Sequence, residues 1–373
     1  MRITLVIENL GGGGAERVAS QMINYWADQG KAVTLITLAS EKKDFYATHS
    51  QIHRIALDLT GPSPSVLSAV QNNVRRIRRL RGAITTSRPD CIISFMDRIN
   101  VLTLLASSGL GMPVIASERI DPRQHNIGSI WTGLRRLVYP QAAAIVVLTE
   151  GVRPWAEQFG HPNKVHVIPN SVSVPVEERS EGCGRSYSGR TIIAMGRLDP
   201  QKGFDLLLRA FARCVVAHPE WSLLILGEGD ERGRLEALAV ELGIAKRVTM
   251  PGRTPNPFKL IRAADLFVLS SRYEGFPNAL VEAMACGLPV IAADCRSGPR
   301  DIIRDGVDGV LVPPENVDML TSAMDSLMMD PAKRQRLGAN ALEVSERFST
   351  NKIMNKWDDI FCNILSSRVA ANH

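Results

Sequence analysis

RYEGFPNALVEAMACGLPVIAAD, Arg272 to Asp294, is the stretch from which the fold is read. It follows the apolar run DLFVLS (Asp265 to Ser270), which has the length and branching of a buried strand. Pro277 is placed to open a helix that runs to about Cys286, where Gly287 and Pro289 stop it, and LPVIAAD reads as the next strand. Strand, loop, helix and strand form the repeating unit of a parallel sheet, with the loop at the carboxyl end of its strand. Free backbone N–H groups at such a helix start suit an anionic ligand. Glu274 falls in the loop and Glu282 about a turn and a half inside the helix. Carboxylates placed this way suit separate hydroxyl-bearing parts of one extended ligand, and equally the ordinary roles of a turn residue and a satisfied helix carboxylate.

The same rhythm extends outward. RTIIAMG, SLLILG and RVTMPG read as strands, with helices over Phe204 to Ala217 and Arg232 to Leu242 between them. Before these, EERSEGCGRSYSGR (Glu177 to Arg190) has no periodic apolar pattern and reads as a linker. Upstream the rhythm runs once more: RITLVI, a helix over Glu16 to Gln29, AVTLITL, DCIISF, PVIAS and AIVVLT. Residues 1–176 and 191–349 are therefore expected to form two doubly wound α/β domains. Each would bind ligands beyond the carboxyl ends of its strands, and the two would face each other across a cleft. From Pro331 onward, apolar residues from Leu337 to Ile364 recur at helical spacing, which predicts a long packing helix. Its last part, residues 350–373, is expected to return to the first domain.

A chain of 373 residues, 45% hydrophobic and 22% charged, is long enough for two cores and excludes a disordered or collagen-like protein. The net charge of +6 lies wholly in the first half, with 20 Lys+Arg against 14 Asp+Glu before residue 181 and 24 against 24 after it. That asymmetry assigns an anionic partner, if there is one, to the first half. Six cysteines without a CxxC pair read as reduced thiols of a cytoplasmic protein. The N-terminus lacks the regions of a signal peptide, and no apolar run approaches the ~20 residues of a membrane span, so membrane contact is expected to be peripheral.

EGFPNALVEA resembles the E-x7-E signature of glycosyltransferase family 4. The likeness takes in GRLDPQKGFDLLLRAFA (Gly196 to Ala212), LLILGEGDERGRLE (Leu223 to Glu236), VTMPGR and DGVDGVLVPPEN, nearly the whole chain. It implies a retaining enzyme of the GT-B fold class, two facing Rossmann-like domains with a cleft between them. It also implies that Glu274 contacts the transferred sugar, that the backbone around Gly275, Phe276, Pro277 and Asn278 holds sugar hydroxyls or phosphate, and that Glu282 binds the ribose. GRLDPQKG supplies Arg197 and Lys202 between a strand and a helix start. Fixed cations there stabilise the charge that develops on a leaving diphosphate without a metal. No two aspartates are separated by one residue, so a metal-holding D-x-D element is missing and neither metal nor cofactor is expected. Arg253 and Thr254 follow VTMPG where related enzymes meet the nucleobase.

In the first half, Gly11 to Gly14 let the backbone approach a ligand closely. The glycine spacing of a dinucleotide fingerprint fails, since Glu16 stands where its last glycine would be. The resemblance places Gly12, Gly13 and Gly14 near the donor diphosphate and Glu16 on the acceptor side; a flexible strand-to-helix turn is the ordinary reading. SERIDPRQ (Ser117 to Gln124) is similar to the SERND-type element of transferases that extend undecaprenyl-diphosphate-linked oligosaccharides, amylovoran-type and N-acetylgalactosamine-transferring ones included. By that likeness Arg119 would hold an acceptor phosphate or sugar, and Glu118 or Asp97 an acceptor hydroxyl. VLSAVQNNVRRIRRLRGAI places Leu67, Val70, Val74, Ile77, Leu80 and Ile84 along one helical face and five arginines mostly on the others. This amphipathic basic helix suits anionic lipid or, through Arg75 and Arg79, the diphosphate of a lipid-linked acceptor, and equally a solvated face. Aromatic residues do not interleave with the arginines, which argues against nucleic acid.

The function expected is transfer of a sugar from a nucleotide diphosphate, UDP-linked above others, to a growing glycan on a polyprenyl diphosphate at the inner face of the cell membrane. A GDP-mannose or other hexosyltransferase acting on lipopolysaccharide or a soluble acceptor, a nucleotide-sugar epimerase, and a non-catalytic glycan- or nucleotide-binding scaffold are the alternatives.

Overall fold

The structure is a computed structural model that describes residues 1–61, 64–173, 189–254 and 256–371. The chain folds as two units, one of residues 1–170 with the segment from Ile353 onward, the other of residues 171–352. Each is built on a parallel sheet. In the first, β1 (Arg2–Ile7), β2 (Ala32–Thr37), β3 (His53–Ala56), β4 (Cys91–Phe95), β5 (Val114–Ser117), β6 (Ala144–Val147) and β7 (Val165–Val167) take the order β3-β2-β1-β4-β5-β6-β7. In the second, β8 (Arg190–Met195), β9 (Trp221–Leu226), β10 (Val248–Gly252), β11 (Leu266–Leu269), β12 (Val290–Ala293) and β13 (Val310–Val312) take the order β10-β9-β8-β11-β12-β13. Both orders reverse direction beside the first strand of the unit, between β1 and β4 and between β8 and β11. That reversal is the switch point at which doubly wound sheets open a crevice for ligands.

Helices cover both faces of each sheet, so the central strands are buried on both sides and read as continuous apolar runs. Every residue of β4, β5, β11 and β12 is buried. The helices end close to where the sequence places them: Gly14–Asp28, Phe204–Cys214, Arg232–Glu241 and Asn278–Ala285, the last with Pro277 as its N-cap residue and Cys286 as its C-cap.

Two expectations need correction or bounding. The segment after Pro331 forms three helices, Pro331–Ala341, Val344–Arg347 and Thr350–Ala371, because the chain turns twice while the apolar spacing continues. Of the expected linker 177–190, all but Gly189 and Arg190 lies outside the described residues, and Arg190 already opens β8. The last helix packs in the first unit against Gly14–Asp28. Trp26 meets Trp357 edge-on at 6.3 Å between ring centroids and Phe361 at 5.4 Å. Lys31 Nζ pairs with Asp358 Oδ1 at 2.5 Å beside them. No helix among the described residues is long and apolar enough to cross a membrane.

Candidate active site

In the second unit the loops after β8 and β11 are held together by one glycine. Asp199 caps the short turn Pro200–Lys202 by accepting from Lys202 N at 3.3 Å, and Gly203 leaves that turn at φ 61°. A Cβ on Gly203 would stand 2.2 Å from Ser270 O, so only glycine allows the turn to close onto the end of β11. Ser270 Oγ then donates to Lys202 O at 3.0 Å, Arg272 N to Gln201 O at 2.8 Å and Gln201 Nε2 to Tyr273 O at 3.0 Å. Arg272 also forks onto both oxygens of Asp205, at 2.9 and 2.8 Å.

This closure brings together two side chains 72 positions apart. Lys202 Nζ donates to Glu274 Oε1 at 2.6 Å, and Ser271 Oγ donates to the same oxygen at 2.6 Å. The Lys202 and Glu274 side chains are only 18% and 6% exposed. Ser297 Oγ fixes the loop from behind by donating to Glu274 O at 2.7 Å. Burial and the nearby Glu274 charge push the Cys295 thiol up to about 12, so it stays protonated and donates to Ser271 O. The backbone of Gly275, Phe276, Pro277 and Asn278 leads directly into the helix Asn278–Ala285, and Glu282 is buried within that helix. Phe276 is buried against Phe348, with ring centroids 5.3 Å apart. Arg197 shares the Lys202 loop but is 67% exposed and pairs with Asp199 Oδ2. Arg253 is exposed just beyond β10, and Thr254 Oγ1 accepts from Asn256 N at 3.3 Å. The arrangement is a carboxylate and a cation at a helix N-terminus beside a switch point, able to exchange the carboxylate for a phosphate as partner of the lysine.

The first unit presents two groups at the carboxyl ends of its strands. After β1, Gly12 is exposed, Gly13 N donates to Gly11 O at 2.8 Å, and Gly13 caps the helix that starts at Gly14. A Cβ on Gly13 would meet Glu16 Oε2 at 2.1 Å, so the Glu16 carboxylate lies back over the helix start. After β4 and β5 a charged cluster is buried. Asp97 Oδ2 accepts from His125 Nδ1 at 2.6 Å, and its Oδ1 accepts from Arg98 N at 2.6 Å. Glu118 Oε1 accepts from the Tyr139 hydroxyl and lies 3.5 Å from Arg135 Nη2, which is also 3.9 Å from Asp97 Oδ2. Arg119 donates to Ser117 Oγ at 3.3 Å and Asn170 Oδ1 at 2.5 Å, with its guanidinium 4.3 Å from the centre of the Phe95 ring. Glu118 and Arg119, expected to meet the acceptor, are thus both buried within the first unit.

Burial raises the Glu118 carboxyl to about 7, more than the Arg135 charge and the Tyr139 hydrogen bond can offset. Burial alone lowers Arg119 to about 9. Burial also pushes Asp97 up, but hydrogen bonds from His125 and Arg98 N leave it below its ordinary value, and the Asp97 hydrogen bond raises His125. These directions set a pH dependence. A carboxyl raised from 4.5 to about 7 keeps a proton in the folded state that the unfolded chain sheds, so its contribution falls as pH rises from 4.5 through 7. The His125 contribution, full below 6.5, is lost in the same direction as pH rises through the raised folded value. Asp97 acts oppositely, losing its contribution as pH drops below 3.8. At about 1.4 kcal/mol for each tenfold change in proton affinity, the Glu118 part is on the order of 3 kcal/mol. Urea unfolding should therefore show the first unit less stable at pH 8 than at pH 5, and Glu118→Gln should remove most of that difference. An unchanged difference in the variant would remove Glu118 as its source.

The amphipathic helix spans Val66–Ser87, capped by a reciprocal Ser65–Ser68 pair. Only its second half packs: Leu80, Ala83 and Ile84 are buried, whereas Val66, Leu67 and Val70 are 80, 69 and 55% exposed. Arg75 and Arg79 are exposed, while Arg76 turns inward and donates to Leu59 O and Asn73 Oδ1, both at 3.0 Å. The sequence singles out none of Ser271, Ser297, His125, Arg135 and Tyr139. Ser297, His125, Arg135 and Tyr139 work through partners 17 or more positions away, and Ser271, though only three positions from Glu274, is one serine in a loop, so local spacing carries no signal for them.

With this geometry in view, the chain matches two family models: a glycosyl transferase 4-like domain over residues 13–171 and glycosyl transferases group 1 over residues 181–344. An exopolysaccharide phosphotransferase of Streptomyces coelicolor is 37% identical over 61% of this chain and 24% of its own length, so the chain spans about a quarter of that relative. An α-1,4-N-acetyl-D-galactosaminyltransferase of Campylobacter jejuni, named for a GalNAc-bearing undecaprenol diphosphate acceptor, is 27% identical over 96% of this chain and 97% of its own. Among solved structures, the Anabaena protein HepE in complex with UDP is similar with a TM-score of 0.76 and 19% identity, covering 97% of this chain and 100% of that one. Two doubly wound parallel sheets, a Lys–Glu pair at the second switch point and two transferase models that between them span most of the chain make this protein a glycosyltransferase, a member of the group 1 and 4-like family with the GT-B fold.

Proposed function

We propose that this hexosyltransferase moves a hexose or N-acetylhexosamine from a UDP-linked donor, with retention and without a metal, onto a growing glycan carried by a polyprenyl diphosphate at the inner face of the cell membrane. The observation that carries this reading is the pair of partly buried Lys202 and buried Glu274 beside the N-terminus of Asn278–Ala285. On donor binding, the Lys202 ammonium turns from Glu274 to the diphosphate, joined by Arg197 from the same loop, and the helix start adds its partial positive charge. Glu274, released, accepts hydrogen bonds from the hydroxyls of the transferred sugar. Glu282 is assigned to the ribose and the segment at Arg253 and Thr254 to the base. No side chain is assigned as a covalent nucleophile. The acceptor hydroxyl attacks from the face the phosphate leaves, and a phosphate oxygen takes its proton.

The UDP complex of HepE supports the choice of nucleotide, and the undecaprenol diphosphate acceptor in the Campylobacter enzyme's name supports the acceptor class. The unpacked apolar half of Val66–Ser87, continued by the exposed Arg75 and Arg79, supports a peripheral hold on anionic lipid. One assay tests the whole reading. Phosphatidylglycerol vesicles bearing a polyprenyl-diphosphate N-acetylhexosamine are offered UDP-, GDP- and ADP-sugars in EDTA. Turnover is expected with a UDP-sugar alone, and it should fall when phosphatidylcholine replaces the anionic lipid. Turnover with GDP-mannose and none with UDP-sugars would overturn the donor assignment.

A further inference from the structure

A cavity of about 410 Å³ opens in the first unit at the carboxyl ends of β1, β2 and β4, beside the first switch point. Its walls come from four directions: Glu8 after β1, Asn73 and Arg76 on Val66–Ser87, Arg98 on Asp97–Ser107, and Trp131 on Ser129–Val138. Apolar floor is supplied by Ile99 and Leu102, both buried.

The charges in this cavity are unevenly met. Arg76 donates to a carbonyl and to the Asn73 amide, Arg98 Nη2 donates to Ile127 O at 3.3 Å, and the Arg98 guanidinium lies 5.7 Å from the centre of the Trp131 ring. The hydrogen-bond partners of both guanidiniums are thus neutral. Two cations against the single carboxylate of Glu8 leave the cavity net positive. A tryptophan wall suits the C–H face of a sugar ring, Glu8 and Asn73 suit hydroxyls, and two guanidiniums suit an anion held in a fork.

We infer that this cavity is an acceptor subsite for an acidic sugar unit, with its ring against Trp131 and its carboxylate or phosphate between Arg76 and Arg98. The inference rests on the acceptor reading above and adds to it a preference for anionic saccharide. It also separates the arginines of the helix: Arg76 serves the sugar, while Arg75 and Arg79 face outward.

The test is calorimetric titration of the whole protein, saturated with UDP so that the phosphate site of the second unit is filled. The probes are methyl glucuronide, glucose 6-phosphate and neutral methyl glucoside. Both acidic probes should bind about tenfold or more tighter than the neutral one, and the stronger of the two identifies the anion as carboxylate or phosphate. Arg98→Gln, at an exposed position that leaves the core intact, should erase that preference, and Trp131→Ala should weaken all three probes. UDP affinity should stay unchanged in both variants. A neutral probe binding as tightly as the acidic ones, or a preference that survives Arg98→Gln, overturns the inference. Failure of the acceptor reading would look different, with no transfer in the vesicle assay while the acidic preference and its loss in Arg98→Gln persist.

Discussion

Lys202→Met should lower kcat by about 10²–10³-fold, the loss usual for removing one fixed group that stabilises developing negative charge. Lys202 Nζ stands 2.6 Å from Glu274 Oε1 on a turn that closes onto Ser270 through Gly203, so the ammonium is held at a fixed place in the loop. The same substitution should cost stability. Glu274 is 5% exposed and would keep the Ser271 hydroxyl but lose its cation. Breaking a buried pair from one side costs about 3–5 kcal/mol, and the partial exposure of Lys202 puts this case at or below the lower end. The double variant Lys202→Met with Glu274→Gln separates the two effects. It should recover most of the thermal stability, because the stranded charge is gone, and none of the turnover, because the leaving diphosphate still lacks its cation. A single variant with kcat within tenfold of the parent, measured with saturating donor, would show that the ammonium is not needed in the transition state.

The contrast between this pair and the rest of the site shows what the sequence can carry. Central strands such as β4 and β11 are legible because burial on both faces leaves them uniformly apolar. The edge strands β3 and β13, partly exposed and only four and three residues long, show no such run and escape notice. Lys202 and Glu274 are legible as members of motifs, but their contact is not: it depends on Gly203, where the Cβ of any other residue would stand 2.2 Å from Ser270 O. The burial of Glu118, expected by resemblance to take an acceptor hydroxyl, is not legible because the side chains that enclose it, Arg135 and Tyr139, lie 17 and 21 positions later. Their helix and turn announce only amphipathicity. The basic helix is legible as amphipathic, yet its pattern cannot say that Leu80 and Ile84 find a core while Leu67 and Val70 do not. Periodicity marks a face, and only the fold determines which part of that face is covered.

Arg135→Met should cost the first unit about 3–5 kcal/mol near pH 8. Arg135 is 4% exposed and is the one cation within 4 Å of both Glu118 and Asp97 among the described residues, with its guanidinium also packed 5.2 Å from the Trp155 ring centre and 5.6 Å from that of Tyr139. Methionine keeps much of the volume but leaves two buried carboxyls without that charge. The loss should depend on pH with a definite sign. Arg135 holds the Glu118 carboxyl down, so its removal raises a group already at about 7, and near pH 5 Glu118 is protonated with or without Arg135. The penalty at pH 5 is then confined to Asp97 and to lost packing, and the variant should approach the parent more closely there than at pH 8. Adding Glu118→Gln should restore a large part of the loss at pH 8 and little at pH 5, a strong non-additivity expected only of side chains in direct contact. Tryptophan fluorescence during urea unfolding reads the result cleanly, since four of the five tryptophans, Trp26, Trp131, Trp155 and Trp357, belong to the first unit. Equal losses at the two pH values, or simple additivity of the double variant, would mean that Arg135 stabilises through its packing on the rings and not through the carboxylates beneath it.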